Sequence, residues 1–448
     1  MTMPTFANLP GVQVEITDQG LRISRPPSGP KITLLGLTTS TETEAAPYVP
    51  YNVSDATITT AYLKFKNADG TVSELCESLM EAYSAGGRNI ELMNVLPVAS
   101  GALIADDDRY GYLDYAYLTL LNLNVDIAVP VGANLDSSTL TGDRSFGYQL
   151  SNFCYQATAN SNTTIGVIGV AGANASPSGT PTILEIEAWV TALELYTNCS
   201  EYDGTTDANG DGKPDNYRFV ATTSQQMPAN WDAGDVLDAK GNKVDIGAYI
   251  SAVAAPLRST NDAATDLYPT LGYYNSDGVA AYAGLISTLP SKSAPTNKIL
   301  SGVSMQRDLS LSQADRLAGS RFVPVFAKPK GIVAASAMTG AYNISDYYRS
   351  DFTRLSTVRI VHDAVNFIRD VSDQFIGEPN SAPQRNALST AIDNALKSMQ
   401  AQGALRRYDF NIFASATDQV LGRATVELEL VPAFELQQIT VIVALAAE

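Results

Sequence analysis

The 448-residue chain is short of the residues that carry most catalytic chemistry. It has one histidine, His362, so multi-histidine metal sites are excluded and any Ser-His-Asp triad would have to use that ring. Val358, Val361 and Val365 recur around it at helical spacing, which predicts a helix-surface or half-buried ring. The three cysteines, Cys76, Cys154 and Cys199, are odd in number and far apart. They form no disulfide framework or zinc knuckle and read as reduced thiols of a protein made in the cytoplasm. Positive charge is scarce: 29 Lys and Arg against 47 Asp and Glu give a net charge of −18. Binding a phosphate backbone calls for clustered cations, so nucleic acid is not an expected partner. No apolar run approaches the ~18–20 residues of a membrane span, so no membrane insertion is expected. The opening MTMPTFANLPG lacks the basic and apolar regions of a secretory signal.

Enzyme motifs are missing too. No GxGxxG follows a strand, and Gly212-Lys213 runs into Pro214 rather than the Ser or Thr of a phosphate loop. No nucleophile elbow is present. Pro130-Val131-Gly132-Ala133 and Ala171-Gly172-Ala173, at the ends of predicted strands, read as structural turns. Asp106-Asp107-Asp108 reads as a solvated loop. The chain is expected not to be an enzyme.

What is present is apolar core: 45% hydrophobic residues and only 17% charged, over a length that suits two or three domains. So quiet a surface suits burial against neighbours. Ile32–Leu37 is a short apolar run of the buried-strand kind. Leu75, Leu79 and Tyr83 share one helical face that ends at Gly86-Gly87, and a strand is expected over 89–95. Strands over Val125–Val131, Thr164–Val170 and Tyr217–Thr222 alternate with helices over Phe146–Thr158 and Ile183–Asn198. That order predicts a parallel sheet with helices on both faces. Residues 226–300, rich in Asp, Asn, Gly, Pro and Ser, read as long surface loops.

The last ~110 residues read as an α+β unit. Val358, Val361, Val365, Ile368 and Phe375 stripe a first helix. Ser381-Ala382-Pro383-Gln384 starts a second, with Leu388, Ile392, Leu396 and Met399 on its buried face and Gly403 after it. Two strands are read after that: Val426, Leu428 and Leu430 alternate with Glu427 and Glu429, and Ile439, Val441, Val443 and Leu445 alternate with Thr440, Ile442 and Ala444. One further loop carries calcium-like spacing. Asp207, Asn209, Asp211 and Asp215 stand at ligand positions 1, 3, 5 and 9 with Gly212 at 6, although Arg218 replaces the acidic twelfth residue. Ca²⁺ there would brace a loop; an ion-free Asx turn fits the same residues.

Both chain ends are strand-like. Val12, Val14 and Ile16 alternate with Gln13, Glu15 and Thr17 after Pro10-Gly11, mirroring the pattern at 439–445. An unpaired apolar edge invites aggregation, so each end must find a partner. Pattern alone fits either closure of the subunit's own sheet or donation to a neighbour.

The stretch Pro10-Gly11-Val12 to Glu15 resembles the start of phage contractile tail sheath proteins, and Pro30–Gly36 resembles the strand that follows it there. Ser84–Gly87 before Ile90, Ala294–Asn297, Leu300–Gly302, Leu309–Leu311, Phe352–Asn380, Gly403–Leu405 and Val431–Glu435 are similar to further elements of that family, in order. Gln13 replaces the usual aromatic, and Phe434-Glu435 reverses the usual Glu-Phe.

The resemblance implies a structural subunit stacked in six-membered rings around an inner tube, polymerising helically and contracting to drive the tube through a cell envelope. Its partners would be itself, the tube protein, and baseplate and terminator proteins, in a phage-type tail assembled in a bacterial cytoplasm. No cofactor is required. The division expected is an exchange arm (1–20), a first core part (21–109), an outer α/β domain (110–265), a return to the core (266–339), a tube-facing α+β domain (340–435) and a terminal exchange strand (436–448). The fold class is thus multi-domain α/β and α+β, with terminal strands exchanged between subunits. Arg354, Arg359, Arg369, Arg406 and Arg407 are the candidates for facing the tube. The alternative is a calcium-binding cell-surface or adhesin-like structural protein, which would share the acidity and the loops but need a secretion signal.

Overall fold

Six apolar segments pair side by side and parallel in the computed structural model. The structure describes residues 29–97, 105–135, 145–172, 181–197, 244–259, 275–341 and 351–435. The parallel strands are β1 (Ile32–Gly36), β3 (Ile90–Asn94), β4 (Ile127–Pro130), β5 (Ile165–Gly169), β6 (Ile250–Ala254) and β10 (Phe322–Lys328). Their spatial order is β3-β1-β4-β5-β6-β10, with β2 (Tyr51–Val53) and β11 (Gly331–Ala334) added antiparallel at the two edges. Every residue of β1, β3, β4, β5 and β6 is buried, as a parallel sheet covered on both faces requires. Register is set by matched apolar residues: Ile32 lies opposite Ile90 on one side and Ile127 on the other.

Strand order reverses at β1. The chain moves from β1 to β3 in one direction and returns past β1 to β4 in the other. With right-handed crossovers, that reversal puts the connecting helices on opposite faces. Helix α2 (Glu74–Ser84) follows the short α1 (Ile58–Lys64) on the β1–β3 path, while α3 (Asp106–Leu120) and α4 (Phe146–Ala159) lie on the return. Helix α5 (Ile183–Thr197) follows β5. Helix α6 (Val279–Thr288) packs on α2 so closely that a Cβ on Gly284 would sit 2.4 Å from the Ala82 carbonyl oxygen. A second small sheet joins β7 (Leu257–Ser259) to β8 (Asn275–Ser276) and β9 (Val303–Met305). Helix α7 (Leu311–Gly319) leads into β10, opened by a capping box in which Ser310 accepts from the Gln313 N–H and Gln313 returns a bond.

The C-terminal unit is built on α8 (Leu355–Asp373) and α9 (Ala382–Ala401), then β12 (Leu405–Phe413), a short α10 (Ala416–Val420) and β13 (Thr425–Pro432). Ser381 caps α9 by accepting from the Gln384 N–H; the Gln384 side chain reaches Glu378 instead of closing the box. Ile392, Leu396 and Met399 are buried, as their spacing predicts.

Several expectations are corrected. Strands from both sides of the 109/110 and 265/266 divisions belong to one eight-stranded sheet, because parallel pairing joins segments far apart in sequence. Residues 226–300 are not all surface loop: β6 is buried in the sheet and Val279–Ile286 of α6 are buried. Asp106-Asp107-Asp108 open α3, where carboxylates favour the helix N-terminus. Leu405–Phe413 is a strand that was not expected. The segment Tyr217–Thr222, the calcium-like residues Asp207, Asn209, Asp211 and Asp215, and both terminal arms lie outside the described residues.

Candidate functional site

In open α/β sheets, ligands sit beyond the carboxyl ends of the strands where the order reverses. That position lies here between β1 and β4, and side chains of the chain itself fill it. Glu74 is the first residue of α2, and Arg109 lies in the first turn of α3. They form a two-pronged pair, Arg109 Nη1 to Glu74 Oε2 at 2.9 Å and Nη2 to Oε1 at 2.8 Å. Arg109 also donates to the Val131 carbonyl at 2.9 Å, and the Leu37 N–H donates to Glu74. Arg109 is 8% exposed. Gly132, at φ +68°, makes room for it: a Cβ there would lie 2.9 Å from Arg109 Nη1. The turn read as structural at Pro130–Ala133 therefore houses an arginine, not a phosphate.

Arg109→Met is expected to cost about 3 kcal/mol, the low end for breaking a buried ion pair because Glu74 keeps some solvent. A denaturant titration checks it through the shift in midpoint.

Two further carboxyls crowd this end of the sheet. Glu77 lies one turn along α2 from Glu74, and Asp277 precedes α6, packed on the backbone of Gly169 and accepting from the Val279 N–H. Burial, with Glu74 and Asp277 nearby, pushes the Glu77 carboxyl up to about 8. Burial, with Glu74 adding to it, pushes Asp277 up to about 6. Glu77 Oε1 is buried without a hydrogen-bond partner. Cys76 and Cys154 are buried free thiols whose burial pushes them up, so neither is a nucleophile. No group of three or more His, Cys, Asp or Glu suited to a metal occurs among the described residues. No helix among them is long and apolar enough to cross a membrane.

The five arginines separate into two groups. Arg359 and Arg369, each 7% exposed, are not surface charges. Arg359 donates to the Leu289 carbonyl at 2.5 Å, and Arg369 to the Thr158 carbonyl at 3.2 Å. With Asn366, which donates to Thr163 at 2.7 Å, they fasten α8 to the α/β body. His362 corrects its expectation too. It is 6% exposed and stacked on Tyr249, and burial, helped by Arg369, holds it down near 3. Helix α8 is buried on nearly every side, so its spacing does not mark a solvent face. Arg354, Arg406 and Arg407 remain outside the core, Arg407 paired with Glu429 at 2.6 Å.

The hairpin β12–β13 differs from the rest of the molecule. Its strands pair along their whole length, Tyr408 opposite Leu430, Phe410 opposite Leu428 and Ile412 opposite Val426. Among the described residues they pair only with each other, so each strand leaves one edge of N–H and C=O groups open. Helix α9 backs one face, where the Tyr408 hydroxyl donates to Asp393 at 2.8 Å. Tyr408, Phe410, Ile412, Val426 and Leu428 on that face pack against the core and are partly buried, but are not closed off from solvent. A lone two-stranded sheet is marginally stable in water, and open edges are what added strands bind. At the hairpin tip Phe413, Val420 and Leu421 are exposed. The tip is tied back to the α8–α9 turn by Asn380, which donates to the Arg423 carbonyl at 2.7 Å.

No protein-family model matches the chain, and no curated protein matches it in sequence. Solved structures do match in fold. Over 98% of its length the chain is similar to 99% of a chain in the six-fold symmetrised baseplate of the anti-feeding prophage, with TM-score 0.59 and 13% identity. Over 94% of its length it is similar to the whole of the sheath tail protein from Desulfitobacterium hafniense, with TM-score 0.51 and 10% identity. The chain thus shares its fold with a sheath tail protein and a prophage baseplate chain over most of its length.

Proposed function

We propose that this chain is a structural subunit of a contractile tail sheath, polymerising in six-membered rings around an inner tube. The observation that carries the reading is the C-terminal hairpin: a two-stranded sheet whose outer edges no other described strand covers and whose apolar face is only partly buried, fastened by α8 to the α/β body. Strands donated by neighbouring subunits would complete it, with Val12, Val14 and Ile16 from one end and Ile439, Val441, Val443 and Leu445 from the other. Backbone ladders on extended arms hold subunits together while the bodies shift between extended and contracted packings. The closed ion pair at the strand-order reversal fits work done by assembly rather than by turnover.

Arg354, Arg406 and Arg407 are the cations left for an inner tube, and baseplate and terminator proteins would be met at the ends of the polymer. This work draws on no cofactor. Calcium at Asp207, Asn209, Asp211 and Asp215 would serve only to brace a loop.

Negative-stain microscopy of the purified full-length protein tests the reading. Hollow, regularly striated tubes are expected. A protein that stays monomeric at high concentration, under salt conditions that favour association, overturns it.

A further inference from the structure

Three consecutive residues after β13 are each held by a contact, one to the residue before β12 and two to the start of α8. The Ala433 N–H donates to the Ala404 carbonyl at 2.9 Å, extending the ladder past the end of the hairpin. The Phe434 ring, 50% exposed, lies under the Arg354 guanidinium, which is 5.7 Å from its centroid. Glu435 accepts from the Ser356 hydroxyl at 3.2 Å, at the second residue of the 19-residue α8. A carboxylate is favoured there by the unpaired N–H groups of the helix start. None of these three contacts lies on β13. Together they hold the chain at the start of α8 as far as Glu435.

We propose that Ala433-Phe434-Glu435 form a clip on the start of α8 that sets where the C-terminal arm departs, presenting residues 437–448 to the hairpin of a second copy of this chain. The inference rests on the strand-exchange reading above and adds the residues that aim the arm. An arm that binds loses side-chain and backbone freedom as it does so, and anchoring its root reduces that cost. Arg354 thereby acquires a role of its own. It also opens α8, so the clip ties the arm's origin to the helix that Arg359 and Arg369 fasten to the body.

The test compares Phe434→Ala/Glu435→Ala with wild type and with a chain lacking residues 437–448. For the double variant we expect a monomer melting temperature within a few degrees of wild type and a critical concentration for polymer, read by pelleting and light scattering, at least tenfold higher. Because the Phe434 ring is half in solvent, Phe434→Ala alone folds and is expected to fall between the two. A double variant that polymerises at the wild-type concentration, while the deletion does not polymerise, overturns the clip and leaves strand exchange standing. If the deletion itself polymerises normally, strand exchange fails, and the clip with it.

Discussion

Removing residues 437–448, or residues 1–17, is expected to leave a folded monomer that forms no long tubes. The physical argument has two halves. Among the described residues the core is built without either arm: five strands of the sheet are fully buried, and α8 and α9 bury Val358, Val361, Val365, Ile392, Leu396 and Met399. At about 1.5–3 kcal/mol for each large apolar side chain buried, that core does not depend on a terminal strand. The hairpin, by contrast, pairs with no other described strand, and its apolar face is only partly buried. A seven-residue alternating strand adds a ladder of backbone bonds and a row of cross-strand side-chain pairs, each worth roughly 0.2–1 kcal/mol. Repeated at every subunit, loss of that linkage turns a polymer into monomers. Gel filtration and circular dichroism report the fold, and microscopy the tubes. Long regular tubes from either truncation would refute the arms as links.

The second large effect is on pH dependence. Glu77 and Asp277 sit where α2 and α6 meet the sheet, in a seam so tight that a Cβ added at Gly284 would clash with the Ala82 carbonyl. In the folded state Glu77 holds its proton to about pH 8 and Asp277 to about pH 6, whereas unfolded carboxylates release theirs near 4. Between those values the folded state binds more protons than the unfolded one, so stability falls as pH rises. Their contribution is fully present below about pH 4 and is lost in turn as pH passes 6 and then 8. Glu77→Gln removes the larger part of this loss, giving a variant more stable than wild type by several kcal/mol at pH 9 and nearly equal to it at pH 4. His362 acts in the opposite sense. Held near 3 by burial, it makes folding less favourable as pH falls from 6.5 towards 3. The difference between wild type and Glu77→Gln, measured by urea titration at each pH, therefore isolates the carboxyl. A difference that does not grow from pH 5 to pH 9 would sink the argument.

Asparagine in place of Asp277 should remove the lower part of the same slope. Glu74 provides the contrast: it holds Arg109 in a paired geometry beside the same seam. The Arg109 guanidinium pairs with Glu74, whereas burial is the main cause that keeps protons on Glu77 and Asp277.

Much of this architecture was legible from residue order. Apolar runs such as Ile32–Gly36 and Ile165–Gly169, broken by helices with Ser caps at Ser73 and Ser145, specify a parallel sheet without reference to any contact. The helix stripes of α8 and α9 were equally plain, because a 3.6-residue period survives in a single sequence. The strand β12 was missed because its register shifts between Leu405 and Arg407, which breaks the period before Tyr408, Phe410 and Ile412 begin to alternate with Asp409 and Asn411.

Local pattern also determined the thinness of catalytic material, the alternating chain ends and the helical frame around His362. Only the tertiary structure decided which charges face water. Arg359 and Arg369 follow the same spacing rules as Arg354, yet a helix packed on nearly all sides buries two and leaves the third by the solvent. It also decided that Glu74 and Arg109, 35 residues apart, would meet over Gly132 and close the reversal of strand order. Period and composition act between neighbours along the chain, whereas burial and ion pairing depend on which distant segments the sheet brings together.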